Sequence, residues 1–236
     1  WKVTDIFPVS VTGIVTARDH FVIDFDKNAL KARIMTFRNK DLPDDVVKEG
    51  LKLKENYMWR VSKARKDLMS ADNWEEYFTK ILYRPFDIRN IYFHDSVVWR
   101  TRKEVMRHMM HDNLSICFMR QVSLEEDYTH FLVSKHMVDN RTFLSSKGII
   151  QQAPLYLYQE KEKPKKRSFG STMMLFDPQA EYAAKKSNLN PAIVEQFKKD
   201  FKKEPSPEQI FYYIYAVLYS NIYRTRYAEF LKIDFP

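Results

Sequence analysis

The chain has 236 residues, 44% hydrophobic and 15% aromatic, enough for one large domain or two small ones around a buried core. Its formal charge is +8 and its pI is near 9.3, a balance that suits a polyanionic partner and says nothing about fold. A single cysteine, Cys117, excludes an intrachain disulfide framework. That lack fits a reducing cytoplasm as the expected location; no apolar run long enough to span a membrane and no signal peptide is seen. The ends, Trp1 and Pro236, read as cuts within a longer protein.

In chain order, residues 8–26 read as irregular and extended, punctuated by Gly13. Leu30, Ile34 and Phe37 then recur at helical spacing across 26–37. A longer helical pattern covers 44–69 through Val47, Leu51, Met58, Val61 and Leu68, with Gly50 as its point of interruption. "NWEEYFTKIL" (73–82) reads as a short amphipathic helix and "IRNIYFHD" (88–95) as a strand. Three strand-like runs follow, at 113–121, 128–137 and 154–159. Cys117 lies inside the first, in "LSICFM", and reads as a small buried hydrophobe. "EKEKPKKR" (160–167) is a charge run broken by Pro164. It reads as an exposed loop in which Lys161, Lys163, Lys165, Lys166 and Arg167 lie near a polyanion backbone without reading bases. Beyond it, Asp177-Pro178, Asn190-Pro191 and Ser206-Pro207 each set a capping residue before a proline. Ser206 with Gln209 has capping-box spacing. The helix it opens carries Ile210, Phe211, Ile214, Val217 and Leu218 as a packing stripe.

These patterns give an α+β chain, a mixed strand and helix body followed by a helical C-terminal segment. Its expected division is 1–80 (a lead-in segment with helices), 81–160 (the mixed body) and 161–236 (a basic loop and helices).

Residues 83–109, "YRPFDIRNIYFHDSVVWRTRKEVMRHM", hold six cations: Arg84, Arg89, Arg100, Arg102, Lys103 and Arg107. In "YRPFDIR", Asp87 stands between Arg84 and Arg89, positioned to pair with either, while Tyr83 and Phe86 are expected to pack inward; the stretch reads as scaffold. Thr101 and Glu104 have capping-box spacing, which predicts a helix starting at Thr101 with Val105, Met106, Met109 and Met110 on its buried face. Arg100, Arg102 and Lys103 then ring a helix N-terminus, where the dipole disfavours cations by ~0.3–1 kcal/mol each. Two readings follow. Either a phosphate completes the site, or Asp95 or a distant carboxylate pairs with these side chains. Arg100, Arg102, Lys103 and Arg107 are the first candidates for DNA contact. Arg120, Lys135, Arg141 and Lys147, around the strand-like runs, are the second set.

The motifs of bond chemistry are missing. Four glycines leave no phosphate loop or dinucleotide fingerprint, and the Pro-Pro tetrapeptide of amino-methyltransferases does not occur. No Glu-x-Lys exists, and the one Asp-x-Lys, Asp200 to Lys202, falls in an expected helix. His108 and His111 are one turn apart without a second ligand pair, so no metal site is expected. Four classes remain open: a duplex-DNA reader, a general RNA or single-strand binder stacking bases on Tyr92, Phe93 or Trp99, an enzyme of unrecognised chemistry, and an interaction domain that docks an acidic neighbour.

The ordered blocks "ILYRPFDIRNIYF", "RTRKEVMRHM", "NLSICFMRQ", "FLVSKHMVDN", "PLYLY" and "YRTRYAEFLKIDFP", spanning 81–236, resemble the C-terminal specificity region of Type ISP restriction–modification enzymes. Single-chain Type IIG enzymes have similar regions. "VTGIVTARDHFVIDF" is similar to the segment that enters this region after the methyltransferase. The resemblance implies a target recognition domain for double-stranded DNA, itself non-catalytic and without cofactor. Its parent chain would carry a nuclease, a helicase-like ATPase and an adenine-N6 methyltransferase using S-adenosylmethionine, ATP and Mg. No family motif identifies base-reading residues.

Overall fold

The computed structural model describes residues 2–123, 129–144, 147–159 and 185–233. The expectations for the basic run 160–167, including Lys165, Lys166 and Arg167, and for Asp177-Pro178 fall outside these residues.

The chain opens with a single helical turn α1 (Val3–Ile6), a short strand β1 (Val11–Thr12), a second turn α2 (Asp19–Val22) and β2 (Ile23–Asp24). Helix α3 (Lys27–Arg38) starts at Asp26, whose side chain accepts from the Asn28 N–H, and it buries the periodic Leu30, Ile34 and Phe37. The expected long helix is two. α4 (Asp44–Gly50) ends at the glycine and α5 (Val61–Met69) begins eleven positions later. Between them Lys52 takes a left-handed conformation (φ +52°), Leu53 turns into the core, and the Trp59 indole N–H donates to the Ser96 carbonyl at 2.7 Å. Met58, expected on the apolar stripe, is exposed.

The expected helix over 73–82 is corrected. Only Trp74–Tyr77 coil, as a 3₁₀ turn, and Phe78–Arg84 form strand β3. The cause is tertiary. β3 is a central strand, antiparallel to β4 (Asp87–Tyr92) on one side and parallel to a strand at 137–138 on the other. That pairing buries Ile81 and Leu82 and outweighs local helix preference. A short turn α6 (Lys103–Met106), continued by a 3₁₀ turn over 107–110, leads into β5 (Ser115–Phe118). The second strand-like run divides into β6 (Phe131–Ser134) and β7 (Met137–Val138), which enter different sheets. β8 (Gln151–Pro154), β9 (Tyr156–Tyr158) and β10 (Lys185–Ser187) follow. Helices α7 (Pro191–Phe201), α8 (Pro207–Tyr219), α9 (Asn221–Arg226) and α10 (Ala228–Ile233) close the chain. Asn190 caps α7, and the Ser206–Gln209 box caps α8 from both sides.

One four-stranded sheet runs β1-β8-β5-β6 and another β2-β4-β3-β7, with β10-β9 as a separate ribbon. The architecture is mixed α+β with C-terminal helices. One core joins α3, α5 and the second sheet around Phe21, Phe37, Ile81 and Tyr92. The other packs the α8 stripe of Ile210, Phe211, Ile214 and Leu218 against Ile116, Phe118 and Ala153 of the first sheet. No helix among the described residues is long and apolar enough to cross a membrane.

The two sheets are joined by residues 13–16. The Gly13 N–H donates to the Ile150 carbonyl at 3.0 Å, and Ile14 exchanges bonds with Val138 and Asn140 at 2.8 and 2.9 Å. Val15 and Arg100 exchange both backbone bonds, at 2.9 and 3.1 Å. A Cβ on Gly13 would lie 2.7 Å from the backbone of Asp139 and Asn140, a distance that rigid backbone cannot accommodate. Gly13→Ala is therefore expected to destabilise the chain by roughly 2–3 kcal/mol through forced overpacking, read as a lower denaturant midpoint. Cys117 is buried and its thiol is pushed up to about 12 by desolvation. Its alkylation at neutral pH should occur only through unfolding, so the labelling rate should track stability across variants.

Candidate nucleic-acid interface

The strands of both sheets point the same set of loops toward one end. β5 finishes at Phe118, opposite the start of β8 at Gln151 and of β6 at Phe131, which gathers residues 119–123, 129–130 and 147–150. In the second sheet β7 runs parallel to β3, so residues 139–141 lie at the same end as the β3–β4 turn, Pro85-Phe86. Gly13 touches both groups, through Ile150 and through Asn140, and Arg100 borders the same segment through Val15.

The β3–β4 hairpin is anchored from behind. Asp139 is 3% exposed; its Oδ1 accepts from Arg84 Nη1 at 2.9 Å and from the Arg141 N–H at 3.0 Å. Burial raises this carboxyl above its ordinary range, and the Arg141 N–H and the Arg84 guanidinium only partly offset it. Asp87 takes a bidentate pair from Arg89, with Nε and Nη2 at 3.0 and 2.7 Å from Oδ2. The Arg89 guanidinium lies 4.1 Å from the ring centroids of both Phe25 and Tyr83. The Tyr83 hydroxyl donates to Asp19 at 2.8 Å. Asp87 thus pairs with Arg89, while Arg84 reaches across to a residue distant in sequence.

Phe86 corrects the sequence expectation. It does not pack inward: it is 85% exposed at the hairpin tip and held at φ +64°. A Pro at the first turn position and a positive φ at the second define this turn, and an aromatic residue there is strained.

The predicted cations fall into three places. Arg100, Arg120, Arg141 and Lys147 are exposed at the loop end, beside the apolar tips Leu144 and Ile149. The link between Arg120 and Lys147 is Gly148, at φ +86°, where a Cβ would meet the Gln121 carbonyl at 2.8 Å. Arg102, Lys103 and Arg107 follow Arg100 on the connection toward β5. Lys135 lies at the opposite end of β7 from Arg141 and joins Lys27, Lys80, His111 and His136 around a cleft. Lys27 and Lys80 escaped the sequence reading because they stand alone in their segments; only the β2–β4–β3–β7 register places them together.

The expected capped helix at Thr101 is also corrected. Thr101 is not the cap: its hydroxyl donates to Asp95 at 2.6 Å. The α-helical turn begins at Lys103, after Arg102 in a left-handed conformation (φ +51°), and lasts four residues. A helix this short has little dipole to oppose the cations. Asp95 also receives Lys103 at 3.4 Å, which realises the ion-pair reading for that lysine. Arg100 lies over the Trp99 ring at 4.7 Å. Of the aromatic residues considered for base stacking, Tyr92 and Phe93 are core, at 0% and 3% exposure, and Trp99 alone is half exposed. His108 is buried and accepts the Tyr158 N–H at 3.0 Å through Nδ1, whereas His111 stacks on the Tyr158 ring at 4.4 Å between centroids.

Comparison with protein-family models matches residues 5–236 to the Type ISP C-terminal specificity domain. The chain belongs to that family. No curated protein matches it. Three solved structures share the fold over 98% of the chain. The chain is similar to DrdV in a cryo-EM DrdV–DNA complex (20% identity, TM-score 0.65, 21% of that chain covered). It is equally similar to the ATP-dependent Type ISP restriction–modification enzyme LlaBIII bound to DNA (22%, 0.65, 14% covered). The third is a nuclease-deletion mutant of the Type ISP enzyme LlaGI in complex with a DNA substrate mimic (21%, 0.56, 20% covered). The specificity domain therefore spans about a fifth or less of the chains it resembles.

The Arg84–Asp139 pair that anchors this specificity domain generates a prediction with a defined pH dependence. Arg84→Gln removes one of the influences that lower the Asp139 carboxyl, so its midpoint in the folded state rises further. The ionised carboxylate then destabilises the fold above that midpoint and stops doing so as it protonates. The variant should be about 1–3 kcal/mol less stable than the parent at neutral pH. The gap should narrow as pH falls toward the ordinary aspartate range. Denaturant midpoints of both proteins across pH check this.

Proposed function

We propose that this specificity domain recognises a double-stranded DNA sequence as the target recognition part of a multifunctional restriction–modification enzyme. The observation that carries the reading is the loop end. Four connections from two sheets carry the exposed Arg100, Arg120, Arg141 and Lys147 at one end of a frame held by the Arg84–Asp139 and Arg89–Asp87 pairs. Exposed cations on several loops meet phosphates along a duplex, and the loops between them are free to vary in the base edges they address. The scaffold role of "YRPFDIR" follows from the same geometry.

In this reading the domain performs no bond chemistry. An adenine-N6 methyltransferase, a helicase-like ATPase and a nuclease in other parts of the parent chain would use S-adenosylmethionine, ATP and Mg. Lys103 contributes to backbone attraction less than Arg100 does, because it shares Asp95 with Thr101.

Fluorescence anisotropy of the isolated chain with duplex, single-stranded and RNA competitors tests the proposal. Duplex should compete best, and log affinity should fall linearly with log salt. Arg100→Gln combined with Arg141→Gln should leave the melting temperature unchanged, since both side chains are exposed, and should reduce the salt slope by about one per lost phosphate contact. A flat salt response, or equal competition by all three nucleic acids, would overturn the reading.

A further inference from the structure

Three lysines from separated segments line one cleft of about 370 Å³ at the end of the sheets opposite the recognition loops. Lys80 stands opposite Asn90 on β4, and its strand runs beside β7 with Ile81 opposite Met137. This register sets Lys80 against the turn that carries Lys135 and His136. Lys27 opens the 12-residue helix α3, where the dipole disfavours a cation. The pairing of Asp24 with Asn90 brings that helix start to the same corner.

Little in the cleft balances this charge. The other titratable side chains on its walls are His111, His136 and a single carboxylate, Asp112. None of the three lysines forms an ion pair among the described residues. Asp26, next to Lys27 in sequence, is occupied as the cap of α3. Burial lowers the His136 imidazole from its ordinary value, and Lys80 and Lys135 lower it further. The positive potential of the cleft is thus felt by a half-buried group. Glu75, outside the cleft, feels the Lys27 charge but pairs with Lys31; gathering three lysines against so little counter-charge is unfavourable in an empty protein and favourable once an anion is bound. Lysine ammonium groups are suited to phosphate oxygens as unforked point charges, and the volume admits a nucleotide-sized group.

We propose that the Lys27–Lys80–Lys135 cleft is a phosphate-binding site separate from the loop end. Its ligand is a phosphate group, either the backbone diester of a duplex or a free phosphate. The site stands or falls independently of target reading at the loops.

The histidine ring protons, followed by NMR through a pH titration of the intact chain, give the readout. In the ligand-free protein, Lys80→Gln combined with Lys135→Gln should raise the His136 midpoint, because two repelling charges are lost. Adding inorganic phosphate to the parent protein should raise the His136 midpoint by about 0.5 or more, and the double variant should lose that response while keeping its melting temperature. If a short duplex raises the midpoint and inorganic phosphate does not, the site holds and its ligand is the DNA backbone. If neither moves His136, or if both proteins respond alike, the proposal is overturned. That result would be distinct from failure of the recognition reading, which is judged by the duplex affinity of the Arg100→Gln, Arg141→Gln protein.

Discussion

The close approach of Gly13 to the backbone of Asp139 and Asn140 is the constraint on which the rest of the structure depends. Residues 13–16 (Gly-Ile-Val-Thr) carry no charge, yet they bond to three separate parts of the chain: Ile150 beside the first sheet, Val138 in and Asn140 beside the second, and Arg100 on the connection toward β5. A strand that hands its hydrogen bonds from one sheet to another must pass close to both. Here that is possible only where no Cβ intervenes. Everything exposed at the loop end takes its position from this crossing.

The polar core follows the same logic of joining layers. Gln152 is fully buried; its Oε1 accepts from the Val138 N–H at 3.2 Å while its Nε2 donates to Ser115 Oγ and the His136 carbonyl at 2.7 and 2.8 Å. Asn188 donates to the Val9 and Pro154 carbonyls at 2.7 and 2.8 Å and accepts the Val9 N–H. Each amide satisfies backbone groups left over where one sheet ends and another segment begins, which is where an unpaired group would cost most. Arg18, 6% exposed, stacks on Trp59 at 3.6 Å and donates to the Val97 carbonyl at 3.2 Å. Burial brings its guanidinium down to about 10, and the aromatic face supplies part of what water no longer does.

A rigid frame with exposed connections suits recognition that differs among related proteins. The pairs Arg84–Asp139 and Arg89–Asp87 hold the hairpin, and the α8 stripe holds the first sheet from behind. Change at the exposed Arg120, Gln121, Arg141, Leu144, Lys147 or Ile149 therefore leaves the core contacts intact, whereas Met119, Val122 and Thr142 in the same loops are buried. The basic cleft lies at the other end of the same sheets. A polyanion engaged at the loops and a phosphate held in the cleft would thus load the frame from opposite sides.

The sequence alone determined those features whose cause is local. The capped starts at Asn190 and Ser206, the buried stripe of α8, the helix over 27–38, strand β4 and the buried thiol of Cys117 all depend on neighbours within a few residues, and composition and spacing encode them. The family resemblance rested on the order of whole blocks over 81–236, with one similar segment near the start. Features with distant partners were decided only in three dimensions. Phe78–Ile81 became strand because β4 and β7 flank it. Thr101 turned to Asp95 instead of capping a helix. Phe86 stayed outside because it is the second residue of the tight β3–β4 turn, at φ +64°, and Arg84 beside it reaches Asp139, 55 residues away. Lys135 and Arg141, close in sequence, were parted by β7, while Lys27, Lys80 and Lys135 were brought together. Periodicity records which side of an element is apolar. It does not record which remote backbone will offer a hydrogen bond, and in a protein built from short strands shared between two sheets that offer decides where the charges go.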